Sequence, residues 1–167
     1  MNVRRSIAVA TVLLAAPLVS SCAVTFGAQT DQPYNPAVGT DDRSGSVDVL
    51  NALIVSGDDG SGTVVAGLVN NDPDEDDTLK DVSGAGNDSG LTVDVTGDAS
   101  IPAGGLLNLA KDGGVTAHGD RIKAGNFVTL QFTFDRGEAI TLDVPVVANA
   151  VTGDYGDVPV PTASPSS

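Results

Sequence analysis

The chain has 167 residues, in which 22 Asp and Glu outnumber eight Lys and Arg to give a formal net charge of −14 at pH 7. A surface this acidic cannot neutralise phosphates, so the composition excludes DNA and RNA as partners and also charge-driven adsorption to anionic lipid. The length suffices for one domain with flexible ends, and the single cysteine excludes an internal disulfide bond.

Residues 1–21 have the organisation of a secretory signal peptide. Two arginines precede an apolar run over residues 7–18, which is too short for a hydrocarbon core that needs roughly 20 residues. The next segment, residues 18–22 (LVSSC), resembles a bacterial lipobox, in which the cysteine is acylated and the chain is cut just before it. The sequence therefore predicts a cleaved signal peptide and lipidation of Cys22. The alternative is an ordinary secreted protein with one free cysteine.

Lipid on Cys22 would hold the mature protein at the outer, extracytoplasmic face of the cell membrane. A single chain such as palmitate gives only marginal attachment at about 0.8 kcal/mol per buried methylene group, whereas two or three chains hold firmly. Residues 22–45 show no apolar alternation, which predicts a lipidated polar tether. If flexible, it would reach roughly 25–30 Å and lift a domain off the membrane.

Strand patterns fill residues 46–150. Two strands, over 47–55 and 63–70, are joined by the Gly/Asp turn 57–60 and are predicted to form a hairpin. Shorter apolar pieces follow at residues 79–82, 91–95, 106–109 and 115–117. No window has a helical period, so seven to nine short strands predict an all-β fold, an antiparallel β-sandwich.

The last two strands have the clearest pattern. The first places Val128, Leu130, Phe132 and Phe134 on one face, and the second places Ile140, Leu142, Val144 and Val146 on one face. Alternation of this length is typical of half-buried strands, and Arg136-Gly137 between them fits a tight antiparallel turn. Pro145 has no N–H to donate, which predicts that its end of the strand is an edge.

No core residues follow the last strand. Residues 151–167 contain Pro159, Pro161 and Pro165 among small and polar residues. This composition predicts a flexible Pro/Ser tail.

Residues 72–77 (DPDEDD) are the densest acidic run. Oxygen ligands spaced two apart at Asp72, Asp74 and Asp76 suit a hard cation such as Ca²⁺. An EF-hand loop, however, needs Gly at its sixth and Glu at its twelfth position, where this chain has Asp77 and Ser83. The preferred interpretation is a solvated acidic hairpin tip, and weak calcium association is the alternative.

Several segments occur in the order typical of one family. They are Ile101-Pro102-Ala103-Gly104-Gly105, the apolar strand after it, Gly113-Gly114, Ala124-Gly125 and the two final strands. Upstream, residues 64–71 resemble that family's strand ending in an Asn-rich turn. Residues 47–147 thus resemble the PCuAC-type periplasmic copper chaperones, and the tether and acidic domain resemble actinobacterial lipoproteins of that group. The resemblance implies a cupredoxin-like or immunoglobulin-like β-sandwich.

The resemblance also implies a copper site of two histidines and two methionines, and these residues are missing. The family's His after the glycine pair falls on Thr116, its Met two places on falls on His118, and its central His-and-Met stretch falls in residues 91–96, which contain neither type. Since Cu(I) prefers sulfur ligands and the mature chain has no methionine, we expect the fold without the copper site, and no cofactor. His118 is interpreted as a polar turn residue; the alternative is a weak metal ligand together with a residue of another chain or with carboxylates such as Asp112 or Asp120.

The sequence contains no G-x-S-x-G nucleophile elbow, P-loop or dinucleotide fingerprint, so we expect no enzyme. The predicted function is that of a membrane-anchored accessory or interaction domain with an unidentified protein partner. The alternative is a degenerate copper-chaperone relative that binds metal weakly through His118 and carboxylates.

Overall fold

The computed structural model describes residues 38–57, 60–150 and 155–161. Ten strands lie in them: β1 (Thr40–Asp42), β2 (Val47–Ser56), β3 (Ser61–Asn70), β4 (Asp77–Gly84), β5 (Thr92–Val95), β6 (Ser100–Ile101), β7 (Leu106–Asn108), β8 (Val115–His118), β9 (Phe127–Phe134) and β10 (Ile140–Ala148). Single helical turns at Gly86–Asp88 and Leu109–Gly113 are the other regular elements of the described residues. The all-β prediction is confirmed, with one strand more than the highest number predicted.

The strands form one curled sheet in the order β5-β8-β3-β2-β10-β9-β4-β6, with β1 added to β2 and β7 added to β3. The predicted hairpins β2–β3 and β9–β10 are both antiparallel. One neighbouring pair departs from the antiparallel prediction, because β10 and β2 run parallel over Val146–Ala148 and Ile54–Ser56. The sheet is therefore mixed, and its curl brings its inner faces together as in a β-sandwich.

Pro145 lies where β10 changes partner. Up to Pro145, which is opposite Phe127, β10 pairs with β9, and from Val146 onward it pairs with β2. A residue without an N–H is tolerated at this position because one ladder ends there before the other begins. The prediction of a sheet edge at this end of the strand is wrong, since β2 covers it.

The core is aliphatic and lies between the inner faces of the curled sheet. On four of the long strands its members are Val47, Val49, Ala52 and Ile54 (β2); Val64, Ala66 and Leu68 (β3); Val128, Leu130, Phe132 and Phe134 (β9); and Ile140, Leu142, Val144 and Val146 (β10). The inward face predicted for the last hairpin is confirmed. Each fully buried Val, Leu, Ile or Phe side chain contributes roughly 1.5–3 kcal/mol, so these buried faces supply much of the driving force for folding.

A bulge at Asn51 changes which side chains of β2 face the core. Asn51 has a φ of 50°, and the pairing register shifts between Leu50 and Leu53. The extra residue reverses the alternation, so that Ala52 enters the core while Leu53 is buried on the opposite face, outside the main cluster. Asn tolerates this left-handed conformation better than branched residues do.

The same bulge holds β1. The Asn51 N–H donates to Asp41 Oδ1 at 2.6 Å, and the Gly39 N–H donates to Asn51 Oδ1 at 2.9 Å. Residue 39 must be glycine because a Cβ there would collide with the backbone carbonyl carbon of Asn51. The last part of the predicted tether, Thr40–Asp42, is thus a strand of the domain, which begins before residue 46.

Part of the predicted flexible tail is packed against the domain. The Thr63 hydroxyl donates to the Pro159 carbonyl at 2.5 Å, and the Ser61 hydroxyl donates to the Pro161 carbonyl at 3.2 Å. Asn149 Nδ2 donates to the Val158 carbonyl at 3.2 Å. We call residues 155–161 the C-terminal strap. Two of these three hydrogen bonds come from side chains about 100 positions earlier in the chain.

The predicted signal peptide (1–21), the lipidation site Cys22 and the tether up to residue 37 lie outside the described residues, as do 151–154 and 162–167. In the part of the chain that the structure describes, no helix has the length and hydropathy needed to cross a membrane.

Candidate functional site

His118 lies on a polar outer face formed by three neighbouring strands. His118 of β8 is opposite Thr92 of β5 and Ser61 of β3, and Thr116 is opposite Asp94 and Thr63. Residues directly opposite in a sheet project to the same side. We call this surface the polar face, and its members are Ser61, Thr63, Thr92, Asp94, Thr116 and His118.

The inner face of the same strands explains why β8 presents its polar residues outward. Val115 and Ala117 are fully buried in the core, and Val93 and Val95 of β5 pack against it. The four residues of β8 alternate apolar and polar, so burying the apolar pair leaves Thr116 and His118 on the outside. The position of His118 is therefore fixed by its neighbours in the core.

The structure brings together the two segments that the PCuAC resemblance assigns to copper. Residues 91–96 include β5, and β5 pairs along its length with β8, which carries Thr116 and His118. The two segments thus form one surface, but its donors are one imidazole, one carboxylate and hydroxyl groups. Asp94 is diagonal to His118, and diagonal neighbours in an antiparallel pair are about 7–8 Å apart.

This donor set is poor for copper. Among the described residues, no three His, Cys, Asp or Glu side chains are close enough together to hold a metal ion. Asp120, predicted as a possible partner of His118, does not complete such a group with it, and the side chain of Asp112 lies outside the described residues. The polar face can donate and accept hydrogen bonds, which suits recognition of a polar partner.

The acidic run is an ordered loop between strands that do not pair with each other. β3, which precedes it, pairs with β2, β7 and β8, whereas β4, which follows it, pairs with β9 and β6. The predicted hairpin tip is therefore wrong. The loop crosses between the two sides of the curled sheet.

The carboxylates of this loop bind the protein itself. Asp72 Oδ1 accepts from the backbone N–H groups of Asp74 (2.9 Å) and Glu75 (3.2 Å), and its Oδ2 lies 3.0 Å from the Arg136 guanidinium, which also pairs with Glu75. The Asp74 N–H and the Arg136 side chain hold the pKa of Asp72 below its ordinary value. Asp76 accepts from the Ala103 N–H at 2.8 Å. Asp72 thus stabilises a turn within the loop, and Asp76 connects the loop to the segment between β6 and β7.

Arg136 is fixed to the loop at several points, although the sequence suggested only a tight turn there. Its guanidinium donates to the Asp76 carbonyl at 3.3 Å, and its backbone N–H donates to Asp77 Oδ1 at 3.2 Å. Hydrogen bonding to Asp72 and the nearby carboxylates raise the pKa of Arg136 above its ordinary value. The β9–β10 connection and the acidic loop therefore form one unit.

An ion pair between a buried carboxylate and a partly exposed guanidinium was missed by sequence reasoning. The Asp88 carboxylate is almost fully buried, and its Oδ1 lies 2.5 Å from Arg121 Nε, a contact without hydrogen-bond geometry. Its Oδ2 accepts from the Thr129 N–H at 2.9 Å. Gly84 lets the backbone of Asp88 lie against the end of β4, because a Cβ at residue 84 would overlap the Asp88 carbonyl oxygen. The segment GNDSG around Asp88 resembles any surface turn, so no pattern in the sequence indicated this pair.

Comparison with known proteins supports the fold expected from the resemblance. No protein-family profile matches the chain, and no curated protein sequence matches it. Among solved structures, it is similar to a copper-bound PCuAC domain from PmoF2, with a TM-score of 0.53, 13% identity and coverage of 65% of this chain and 98% of that domain. It is also similar to an apo PCuAC domain from PmoF1, with a TM-score of 0.52, 16% identity and coverage of 65% and 99%. The described β-domain therefore has a PCuAC-like fold, related to that of copper-chaperone domains.

Proposed function

We propose that the chain is a lipoprotein anchored through Cys22 at the outer face of the cell membrane, whose PCuAC-like domain is a non-catalytic interaction module. The observation that carries the proposal is the composition of the polar face. Where the resemblance places copper ligands, the chain has Thr116, His118 and a β5 strand without His or Met. A hydroxyl-rich face on a rigid sheet suits binding of another protein better than binding of Cu(I).

Metabolic labelling with a fatty-acid analogue tests the anchor. The wild-type chain should incorporate the label and sediment with membranes, whereas Cys22→Ala should do neither. Ser21→Ala is the matched control, because a small residue before the cysteine preserves the lipobox pattern and should leave labelling unchanged. If Cys22→Ala still labels and stays with the membrane, the anchor is wrong.

Cross-linking from the cell surface tests the interaction role. A photoreactive amino acid placed at Thr92, which is exposed on the polar face, should capture a defined protein. The same group at Thr141, which is exposed on β10, serves as the control. Equal capture from both positions would contradict a specific interaction through the polar face.

A second candidate is weak Cu(II) binding by His118 and carboxylates. It is favoured by one observation, the diagonal placement of Asp94 relative to His118 on the surface that the resemblance assigns to copper. Cu(II) titration of the wild-type chain, His118→Ala and the control Asp143→Asn discriminates the two candidates. Sub-micromolar binding that is lost only in His118→Ala would establish the second candidate and overturn the first.

A further inference from the structure

The outer face of β3 carries a short row of side-chain donors that form hydrogen bonds with alternate carbonyl groups of an extended chain. Thr63 donates to Pro159 and Ser61 to Pro161, so a step of two residues on β3 matches a step of two residues on the strap, in the opposite chain direction. Asn149 adds a donor to the carbonyl of Val158. We call Ser61, Thr63 and Asn149 the donor row.

The strap is shaped for this contact by its own sequence. In Val158-Pro159-Val160-Pro161, each proline fixes its own φ, and each valine before a proline is restricted to extended conformations. Such a chain advances about 3.1 Å per residue, or about 6.2 Å per carbonyl pair. A β-strand advances about 3.3–3.4 Å per residue, or about 6.7 Å between Ser61 and Thr63. The two spacings agree closely enough for two successive hydrogen bonds.

The contact does not extend the sheet. β3 has β2 on one side and β8 on the other at these residues, since Thr63 is opposite both Val55 and Thr116. The strap is therefore held on the face of the sheet by side chains. Its prolines lack a backbone N–H, but these contacts use only its carbonyl groups, so no hydrogen bond is lost. Recognition through carbonyls alone places few demands on the side chains of the bound segment.

We propose that the donor row is a docking site for an extended, proline-alternating polypeptide segment of another protein, and that the C-terminal strap is its built-in competitor. This rests on the interaction role proposed above and names the partner's chemistry. A tethered segment is present at a local concentration in the millimolar range, so weak contacts suffice to hold it. Three hydrogen bonds to uncharged carbonyls are such contacts, each accounting for about a 2–10-fold change in affinity.

The test uses the full chain with Val158, Pro159, Val160 and Pro161 replaced by Gly, Ser, Gly and Ser, and a fluorescent synthetic peptide with the sequence of residues 155–167 as probe. Binding is measured by fluorescence anisotropy. The strap-substituted chain should bind the peptide saturably and at least tenfold more tightly than the wild type, whose donor row is occupied. Adding Thr63→Val to this chain should weaken binding about fivefold, whereas adding Thr141→Val, at an exposed position of β10, should leave it unchanged.

Absence of saturable binding to a strap-substituted chain that still unfolds cooperatively would overturn the proposal, and so would equal binding to it and to the wild type. If the substituted chain does not fold, the wild type provides the answer through the NMR order parameter of the Val160 amide. Excess peptide should lower this value from about 0.85 to below about 0.6 by displacing the strap. A Val160 amide that stays rigid at saturating peptide would contradict the proposal. None of these results depends on the labelling of Cys22. The docking proposal can therefore be wrong while the proposed membrane anchor is right.

Discussion

The two faces of β3 differ in what holds them. On the inner face, Leu68 is fully buried among aliphatic side chains of several strands. On the outer face, Thr63 is buried by a seven-residue strap attached through individual hydrogen bonds. The inner face contributes free energy in proportion to the apolar area removed from water, whereas the outer face contributes little more than its hydrogen bonds. The side chains of the outer face can therefore vary with little effect on the fold, and this chain combines a PCuAC-like fold with hydroxyl groups, one imidazole and one carboxylate on the polar face.

The largest effect should come from the inner face. Leu68→Ala should lower the free energy of unfolding by about 2–5 kcal/mol, because it removes buried methyl groups and leaves a cavity. Urea denaturation measures this loss. Leu106→Ala is the matched control, since Leu106 is 58% exposed and its truncation should cost less than about 0.5 kcal/mol. Equal losses in the two variants would contradict the assignment of the faces.

The ion pair between Arg121 and Asp88 should give the second largest loss of stability. Arg121→Ala leaves the Asp88 carboxylate buried without its cation, and such a change costs about 3–5 kcal/mol when both partners are buried. The Arg121 side chain is 55% exposed, so water can replace part of its effect, and we expect about 1–3 kcal/mol. Urea denaturation again measures the loss. Lys123→Ala, an exposed cation nearby, should be nearly neutral; if it costs as much as Arg121→Ala, the ion pair is not responsible.

The outer face should give a smaller effect. Thr63→Val keeps the shape of the side chain and removes its hydrogen bond to Pro159, which should cost about 1 kcal/mol. The NMR order parameter of the Val160 amide should fall at the same time, while the order parameters of β9 stay unchanged. Lower order parameters throughout the domain would show that the strap supports the core, and the two faces of β3 would then be coupled.

The acidic loop should give the smallest effect, with a definite dependence on pH. The folded-state pKa of Asp72 lies below the ordinary value of 3.8, so its contribution to stability is present above that value and is lost as the pH falls through the folded pKa. The melting temperature of Asp72→Asn should therefore lie slightly below that of the wild type at neutral pH, and the difference should shrink as the pH falls below 3.8 and vanish below the folded pKa. A difference that grows on acidification would contradict this sign.

The strands and buried faces that could be predicted from the sequence are those with a regular alternation of apolar and polar residues. The alternation in β9 and β10 is long and uninterrupted, so their pairing and buried faces were predicted correctly. β1 was missed because Thr40–Asp42 is short and polar, and its place depends on the Asn51 bulge. The change of partner strand at Pro145 was missed. A proline shows only that a backbone N–H is absent, and it does not show which strands lie beside it.

The candidate site was only partly predictable. The PCuAC resemblance placed His118 and residues 91–96 in one functional region, and strand pairing puts them on one surface. The strap was interpreted as flexible because its composition lacks core residues, whereas its partners Ser61 and Thr63 lie about 100 positions away. Asp88 and Arg136 resembled ordinary turn residues because their partners, Arg121 and Asp72, are also distant in sequence. Contacts between single polar side chains distant in sequence leave no local pattern.

We propose that the PCuAC-like fold persists here without a copper site. It is tested most directly by competition for Cu(I) between the purified chain and a chromophoric Cu(I) chelator, with His118→Ala measured in parallel. The account predicts that the chelator keeps its copper in the presence of either protein, because the sequence offers one imidazole and no methionine after Met1. Withdrawal of one copper per chain by the wild type, abolished in His118→Ala, would contradict it.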